Sequence, residues 1–300
     1  MRVILLGTAA GGGFPQWNCA CALCRCARAG TLPSRRQECV AVSGNARDWW
    51  LLNASPDIRT QLLDTPVLWP GPAPRDTPLR GVLLTDAEVD HTLGLAVLRG
   101  ADGFVVHATA PVRDALELDL RLRGMLDRYH PWTWRDHSPR GGVELAGGLG
   151  VSAHPVSAKA PKYVTAASTD LFSVTALRIE DSATGGVLIY APCLAIWPAG
   201  LDELLDGADC ALLDGTFFST DELATAVRSS EQTAGQPRMG HLPVTGKGGT
   251  LAALARYPGL RRIYTHLNNT NPLLDPASSA RAQIQRAGVE IRPDGFEFTV

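Results

Sequence analysis

The chain has 300 residues, with 28 Lys and Arg against 30 Asp and Glu, a net charge of −2 and 45% hydrophobic residues. That apolar content excludes general disorder, and the near-neutral charge argues against nucleic acid as the default partner. The longest uncharged run, between Asp181 and Asp202, is broken by Gly185, Gly186, Pro192, Pro198 and Gly200, so no apolar stretch is long enough for a membrane span.

Residues 2–6 predict a buried strand stopped by Gly7 and followed by the loop Gly11–Gly13. The apolar part of this opening is too short for a secretory leader, so the expectation is a cytoplasmic protein. Residues 39–43 and 48–53 read as a hairpin around Gly44 and Asn45, and a short helix is expected from Pro56 to Gln61. A strand over 80–84 leads into Thr85-Asp86-Ala87-Glu88-Val89-Asp90-His91, with a helix then running from Thr92 to Arg99. Phe104–His107 reads as a strand, and Pro111 to about Asp127 as a helix with proline in its first turn. Strands and turns dominate from Gly141 to Ala191. Further on come a strand Cys210–Asp214, a helix Leu251–Arg256, a strand Arg262–Thr265 and a helix over 278–287. Strands and helices mix throughout without a linker, so a single α/β domain over 1–300 is expected.

Polar residues recur where apolar strands stop. Asp86, Glu88, Asp90 and His91 follow the 80–84 strand, His154 follows Gly150–Ala153, Asp214 closes Cys210–Asp214, and His266 follows Ile263–Thr265. Each alone is an ordinary turn or cap residue, as Asp90 would be for a helix from Thr92. Together, strand ends that carry carboxylates and imidazoles converge on one edge of a sheet and read as a metal site. A second signal is Cys19, Cys21, Cys24 and Cys26 within eight residues. Close pairs make poor disulfides, and Cys19-x-Cys21-x-x-Cys24 suits three thiolates of a tetrahedral structural zinc. Cys39, Cys193 and Cys210 lie in apolar runs and read as core.

The run 85–91 resembles the H-x-H-x-D-H signature of the metallo-β-lactamase superfamily, with Asp86 and Glu88 in place of the first two histidines and Asp90-His91 matching its close. A more specific likeness is to the coenzyme PQQ synthesis protein B family. It rests on residues 11–24 (Gly-Gly-Gly-Phe-Pro-Gln-Trp-Asn-Cys-Ala-Cys-Ala-Leu-Cys), 51–59 (Leu-Leu-Asn-Ala-Ser-Pro-Asp-Ile-Arg) and 83–91. Residues 214–218 (Asp-Gly-Thr-Phe-Phe), 239–244 (Met-Gly-His-Leu-Pro-Val) and 265–272 (Thr-His-Leu-Asn-Asn-Thr-Asn-Pro) complete it. These blocks span nearly the whole chain.

The resemblance implies a metallo-β-lactamase-like αββα four-layer sandwich. It further implies metal ligands Asp90, His91, Asp214 and His266, with His154 in the place of the intermediate histidine and His241 as a catalytic or substrate-binding residue. Because Asp86 and Glu88 replace soft imidazoles by hard carboxylates, one metal is expected rather than two. Two histidines with carboxylates and open positions lie nearer to a non-haem iron site than to a closed zinc site. Asp86 and Glu88 are then free to hydrogen-bond ligands or bind substrate. The fourth ligand of the cysteine site stays open between Cys26, His241 and Asn269. The activity implied is an Fe(II)-dependent hydroxylation of the tyrosine ring of a peptide-derived Glu-Tyr precursor in pyrroloquinoline quinone (PQQ) biosynthesis, with a homodimer permitted. The alternatives are a soluble carrier that moves PQQ or its precursor towards the periplasm and, behind it, a phosphodiester hydrolase.

Overall fold

The computed structural model describes residues 1–137, 142–165, 170–227 and 236–300. Among them, two seven-stranded sheets stack face to face. The first contains β1 (Arg2–Gly7), β2 (Cys39–Ser43), β3 (Trp49–Leu52), β4 (Leu79–Leu83), β5 (Val105–Ala108), β6 (Thr133–Asp136) and the C-terminal β14 (Glu297–Thr299), in the order β14-β1-β2-β3-β4-β5-β6. The second contains β7 (Val143–Leu145), β8 (Leu149–Ser157), β9 (Val174–Asp181), β10 (Val187–Ala191), β11 (Cys210–Asp214), β12 (Arg261–Thr265) and β13 (Val289–Glu290), in the order β13-β12-β11-β10-β9-β8-β7. Each sheet has an antiparallel half and a parallel half. The parallel halves are β3 to β6 and β10 to β13.

Side-chain alternation explains the layers. In β1, Val3 and Leu5 enter a central cluster with Val40, Val42, Leu52, Leu188, Leu212 and Ile263 from both sheets. Ile4 and Leu6 point the other way, into a cluster with Leu51, Ile58, Leu95 and Leu116 beneath the outer helices. On the far side, Ile189, Ala211 and Leu213 pack with Leu201, Leu205, Leu254 and Ile284. Strands buried on both faces read as continuous apolar runs, although each still obeys the period of two. Three apolar interfaces between four layers make the expected αββα sandwich.

The hairpin between β2 and β3 is closed by Asn45, whose Oδ1 accepts from the amides of Arg47 and Asp48 at 2.9 Å each. Two helices differ from expectation. The one expected over Thr92–Arg99 is two short turns, Val89–Thr92 and Gly94–Leu98. Gly94 donates its amide to the Ala54 carbonyl at 2.9 Å, and a Cβ there would lie 2.3 Å from the Ser55 carbonyl oxygen. Packing against that loop, which a periodicity argument does not see, fixes the break. The helix expected over Pro111–Asp127 is also divided: Ala110–Asp114, a wider turn over Ala115–Asp119, and Leu122–Leu126 after Arg121 at a left-handed φ of 56°. The break lets both Leu116 and Leu126 reach the same apolar cluster.

Candidate metal centre

Parallel strands end together, and these ends build the site. Beyond β4 the chain runs through Asp86 into the short helix that presents Asp90 and His91. Asp214 closes β11, and His266 follows β12. Asp86 does not face outward as a ligand. Both its oxygens lie against His91 Nδ1, at 2.9 and 2.8 Å, while it accepts from the Glu88 amide at 2.9 Å and from the Thr85 hydroxyl at 2.8 Å. This arrangement orients the imidazole and leaves Nε2 buried without a hydrogen-bond partner. A buried Nε2 on the far side of the ring from its carboxylate partner is how a ligating histidine is usually held, and a cation can take the place of its proton there.

His266 is held from the other side. It sits at φ 57°, a left-handed conformation that costs a side-chain-bearing residue on the order of 1 kcal/mol or more. Its Nδ1 lies 2.7 Å from Thr216 Oγ1, and the Thr216 hydroxyl also donates to Asp214 Oδ1 at 2.7 Å. A hydroxyl donating to the carboxylate accepts from His266 Nδ1–H, so Nε2 keeps its lone pair, 3.2 Å from Asp90 Oδ2. Asp214 Oδ2 accepts from the Leu194 amide at 2.7 Å and meets His241 Nδ1 at 2.7 Å. The His266 ring stands 5.1 Å from His91, edge on, and 5.1 Å from His241, stacked.

Burial alone would raise the Asp86 carboxyl, but His91 and the donors around it hold it at about 2. Burial likewise opposes ionisation of Asp90, and His91 with His266 outweighs it, so this carboxyl stays well below its ordinary range. Burial would make His91 less basic, but Asp86, Asp90 and Glu38 push it to about 10. For His266 burial wins, helped by repulsion from His241 and His91, and the ring is held neutral. Ionised carboxylates around two imidazoles favour a cation.

The centre opens into a cavity of about 910 Å³ lined by Gly11, Glu88, Asp90, Cys193, His241 and His266, together with Gln16, Lys159, Lys162, Tyr163 and Arg238. Gly11 passes so close that a Cβ would lie 3.1 Å from Asp90 Oδ2. Glu88 reaches the cavity but pairs with Lys159 Nζ at 2.6 Å.

The structure therefore brings together Asp90, His91, Asp214, His241 and His266, with Asp86 behind them and Glu88 at the wall. His154 is corrected. It projects from the antiparallel half of the second sheet, where its Nε2 meets Ser152 Oγ at 2.9 Å, and it is not part of the cavity lining. A histidine near a strand end is informative only when that strand ends at the site edge, and β8 runs on to Ser157. Cys193 is buried in the apolar core as expected. It also lines the cavity, and its sulfur lies within 4.8 Å of ligand nitrogens of His91 and His266. The signal was the one that picked out Asp214 and His266, since Cys193 lies just past the end of parallel strand β10.

Cys19, Cys21 and Cys24 also converge, with sulfurs within 4.8 Å of one another, at the start of the helix Ala22–Arg28. Asn269 Nδ2 lies 3.4 Å from Cys24 Sγ and 3.9 Å from Cys21 Sγ. Of the three candidates for a fourth ligand, Asn269 is the one seated there. Cys26 is exposed on the helix, and His241 belongs to the Asp214 group.

The chain is 40% identical over 310 residues to coenzyme PQQ synthesis protein B of Azoarcus sp. (strain BH72), covering 100% of both chains. The chain belongs to the coenzyme PQQ synthesis protein B family. Another relative, from Methylobacterium nodulans, is 40% identical over 305 residues and covered to 99% on both sides. The beta-lactamase superfamily domain matches residues 48–267. The crystal structure of zinc-bound PqqB from Methylobacterium extorquens superposes with a TM-score of 0.91 at 34% identity over 100% of each chain. A diphosphatase of the PhnP family, at 18% identity and a TM-score of 0.69 over 100% of this chain and 97% of its own, shares the fold. Among the described residues, no helix is long and apolar enough to cross a membrane.

Proposed function

We propose that this chain, acting as one catalytic domain over 1–300, is a non-haem iron-dependent oxygenase of PQQ biosynthesis that hydroxylates the tyrosine ring of a peptide-derived Glu-Tyr precursor. Relatives named for PQQ synthesis support the pathway, and a zinc-bound relative supports a divalent metal. The observation that carries the chemistry is the asymmetry of the site. Asp86 is committed to His91 and Glu88 pairs through Oε1 with Lys159, so the half that would hold a first metal in a dinuclear hydrolase offers carboxylates engaged elsewhere in place of imidazoles. Asp90, His91, Asp214 and His266 would supply two carboxylates and two imidazole nitrogens to one ion, His91 giving up its proton on binding. A mixed histidine and carboxylate set with open positions suits Fe(II).

Bound there, Fe(II) would bind and activate dioxygen, with an external two-electron reductant balancing the reduction of the second oxygen atom to water. The protein's own groups do the rest. Asp86 and Thr216 fix the two ring orientations. His241, in contact with Asp214 and on the cavity wall, is placed to hold or move a proton at the substrate. Arg238, Lys162 and Lys159 line the same cavity as Asp90 and His266. Those cations suit a substrate that carries carboxylates beside its aromatic ring. We further propose that Cys19, Cys21 and Cys24 hold a structural zinc, with Asn269 beside it.

Anaerobic reconstitution with Fe(II), followed by oxygen and a Glu-Tyr dipeptide, tests the reading. A product heavier by one oxygen atom is expected. Its absence under every reductant, with iron bound, would favour the carrier.

A further inference from the structure

The ligand set discussed so far contains only nitrogen and oxygen, yet a sulfur stands among those ligands. Cys193 lies just past β10, buried at 8% exposure, on the cavity wall. Its Sγ and ligand nitrogens of His91 and His266 lie within 4.8 Å of one another, which is the spread expected of atoms that share one ion. His91 Nε2, one of those nitrogens, has no other partner. The backbone around the cysteine is pinned in place. The Leu194 amide donates to Asp214 Oδ2 at 2.7 Å, and the Leu194 carbonyl accepts from the Leu242 amide at 2.6 Å. The same loop that steadies Asp214 therefore fixes where Cys193 points.

We propose that Cys193 supplies a thiolate ligand to the divalent metal held by His91 and His266, so that the catalytic centre carries sulfur of its own, separate from the cluster at Cys19, Cys21 and Cys24. This rests on the reading of a metal centre at His91 and His266. On binding, the Cys193 S–H loses its proton to solvent and a metal–sulfur bond forms, with no change in oxidation state. With Asp90 Oδ2 only 3.2 Å from His266 Nε2 and Asp214 also grouped with His266, the set becomes two nitrogens, one sulfur and the carboxylate oxygens of Asp90 and Asp214. A soft donor strengthens the hold on zinc and on iron alike and tunes the potential of a redox metal.

The test uses the full chain loaded with Co(II), whose spectrum reports sulfur ligation directly. The wild type should show an intense thiolate-to-cobalt band in the near ultraviolet. Cys193→Ser should lose the part of that band that His91→Ala also loses, with cobalt affinity at that site falling at least 10-fold. Sulfur from the other cysteine cluster survives in both variants and so is told apart. X-ray absorption at the cobalt edge compares the wild type with His91→Ala and needs no cysteine variant, so the proposal stays testable if Cys193→Ser misfolds. A band of equal strength in Cys193→Ser, or the same sulfur shell with and without His91, overturns the thiolate ligand and leaves the metal centre standing. Cobalt stoichiometry that is indifferent to His91→Ala overturns the metal-centre reading beneath it as well.

Discussion

Three residues near the centre show how differently one motif can be used. Asp86, Asp90 and His91 sit within a run whose spacing suggests equal roles, but Asp86 holds His91, Asp90 lines the cavity, and His91 is buried with its Nε2 free of any hydrogen bond. Removing a ligand and removing the group that orients it should therefore have different consequences. His91→Ala and His266→Ala should each lose the active-site metal, because in the proposed ligand set each supplies one of two imidazole nitrogens that an oxygen-only shell replaces poorly. Asp86→Ala should keep the metal but bind it, or turn over, about 10–100-fold less well, the usual cost of losing an orienting partner. Metal analysis alongside single-turnover kinetics decides it, and metal retained in His91→Ala but lost in Asp86→Ala would reverse the roles. That Asp90, His91, Asp214 and His266 come together was legible because each lies at or beyond the end of an apolar strand, Asp214 closing β11, His266 following β12, and Asp90 and His91 in the segment after β4. The job of Asp86 was open in the sequence, since a carboxylate five residues from a histidine can face the metal or the imidazole, and only the turn between them decides.

Elements clamp the site from below, and here the sequence said less. Glu222 opens the short helix Glu222–Val227, accepts from the Phe218 amide at 2.6 Å and from the Thr270 hydroxyl at 2.6 Å, and so ties the loop after β11 to the loop after β12. Burial raises its carboxyl to about 7 against those donors. The folded chain then holds a proton that the unfolded chain releases near 4.5, so the folded state binds more protons within that window. Stability from this group is complete below pH 4.5 and falls as pH rises towards about 7, at up to about 1.4 kcal/mol per pH unit. Denaturant unfolding from pH 4.5 to 8 should show that decline in the wild type, and Glu222→Gln should flatten it. A variant that keeps the full slope would assign the titration elsewhere.

The cysteine cluster is a second clamp, because Asn269, in the same loop, touches two of its sulfurs. Cys21→Ser should lower zinc content and melting temperature together, since structural zinc contributes folding free energy directly. An unchanged melting temperature would remove its structural role. Its three cysteines were visible from spacing. Asn269 was only one of three candidates, because its partners lie some 250 positions away in sequence and meet it only through the fold.

At the scale of the molecule, the two parallel half-sheets point their ends at the same cavity. Asp90 and His91 come from the first sheet, through the segment after β4, and Asp214 and His266 from the second, after β11 and β12. The layer order was legible because continuous apolar runs in β1, β2, β10 and β11 require burial on both faces. His154 was misplaced because composition does not say which strands lie in the parallel half, and only those strands end at the centre.

This geometry makes a metal at the centre a cross-link between the sheets as well as a reagent. A ligand that binds only the folded state stabilises it by RT ln(1 + [L]/Kd), about 2.7 kcal/mol at one hundred times Kd. Without the ion, Asp86 and Asp90 have His91 as their charged partner, while the neutral His266 stands 3.2 Å from Asp90 without offsetting its charge. Adding Zn(II) or anaerobic Fe(II) to chelator-treated protein should raise the melting temperature in a concentration-dependent way. Part of that rise belongs to the cysteine cluster, which His91→Ala leaves intact. The difference between wild type and His91→Ala therefore isolates the link between sheets, and Cys21→Ser isolates the other contribution. Because the two sites lie at different places on the same loop after β12, the two losses should not add fully. A metal response identical in wild type and His91→Ala would mean that the ion does not bridge the sheets, whatever it does to substrate.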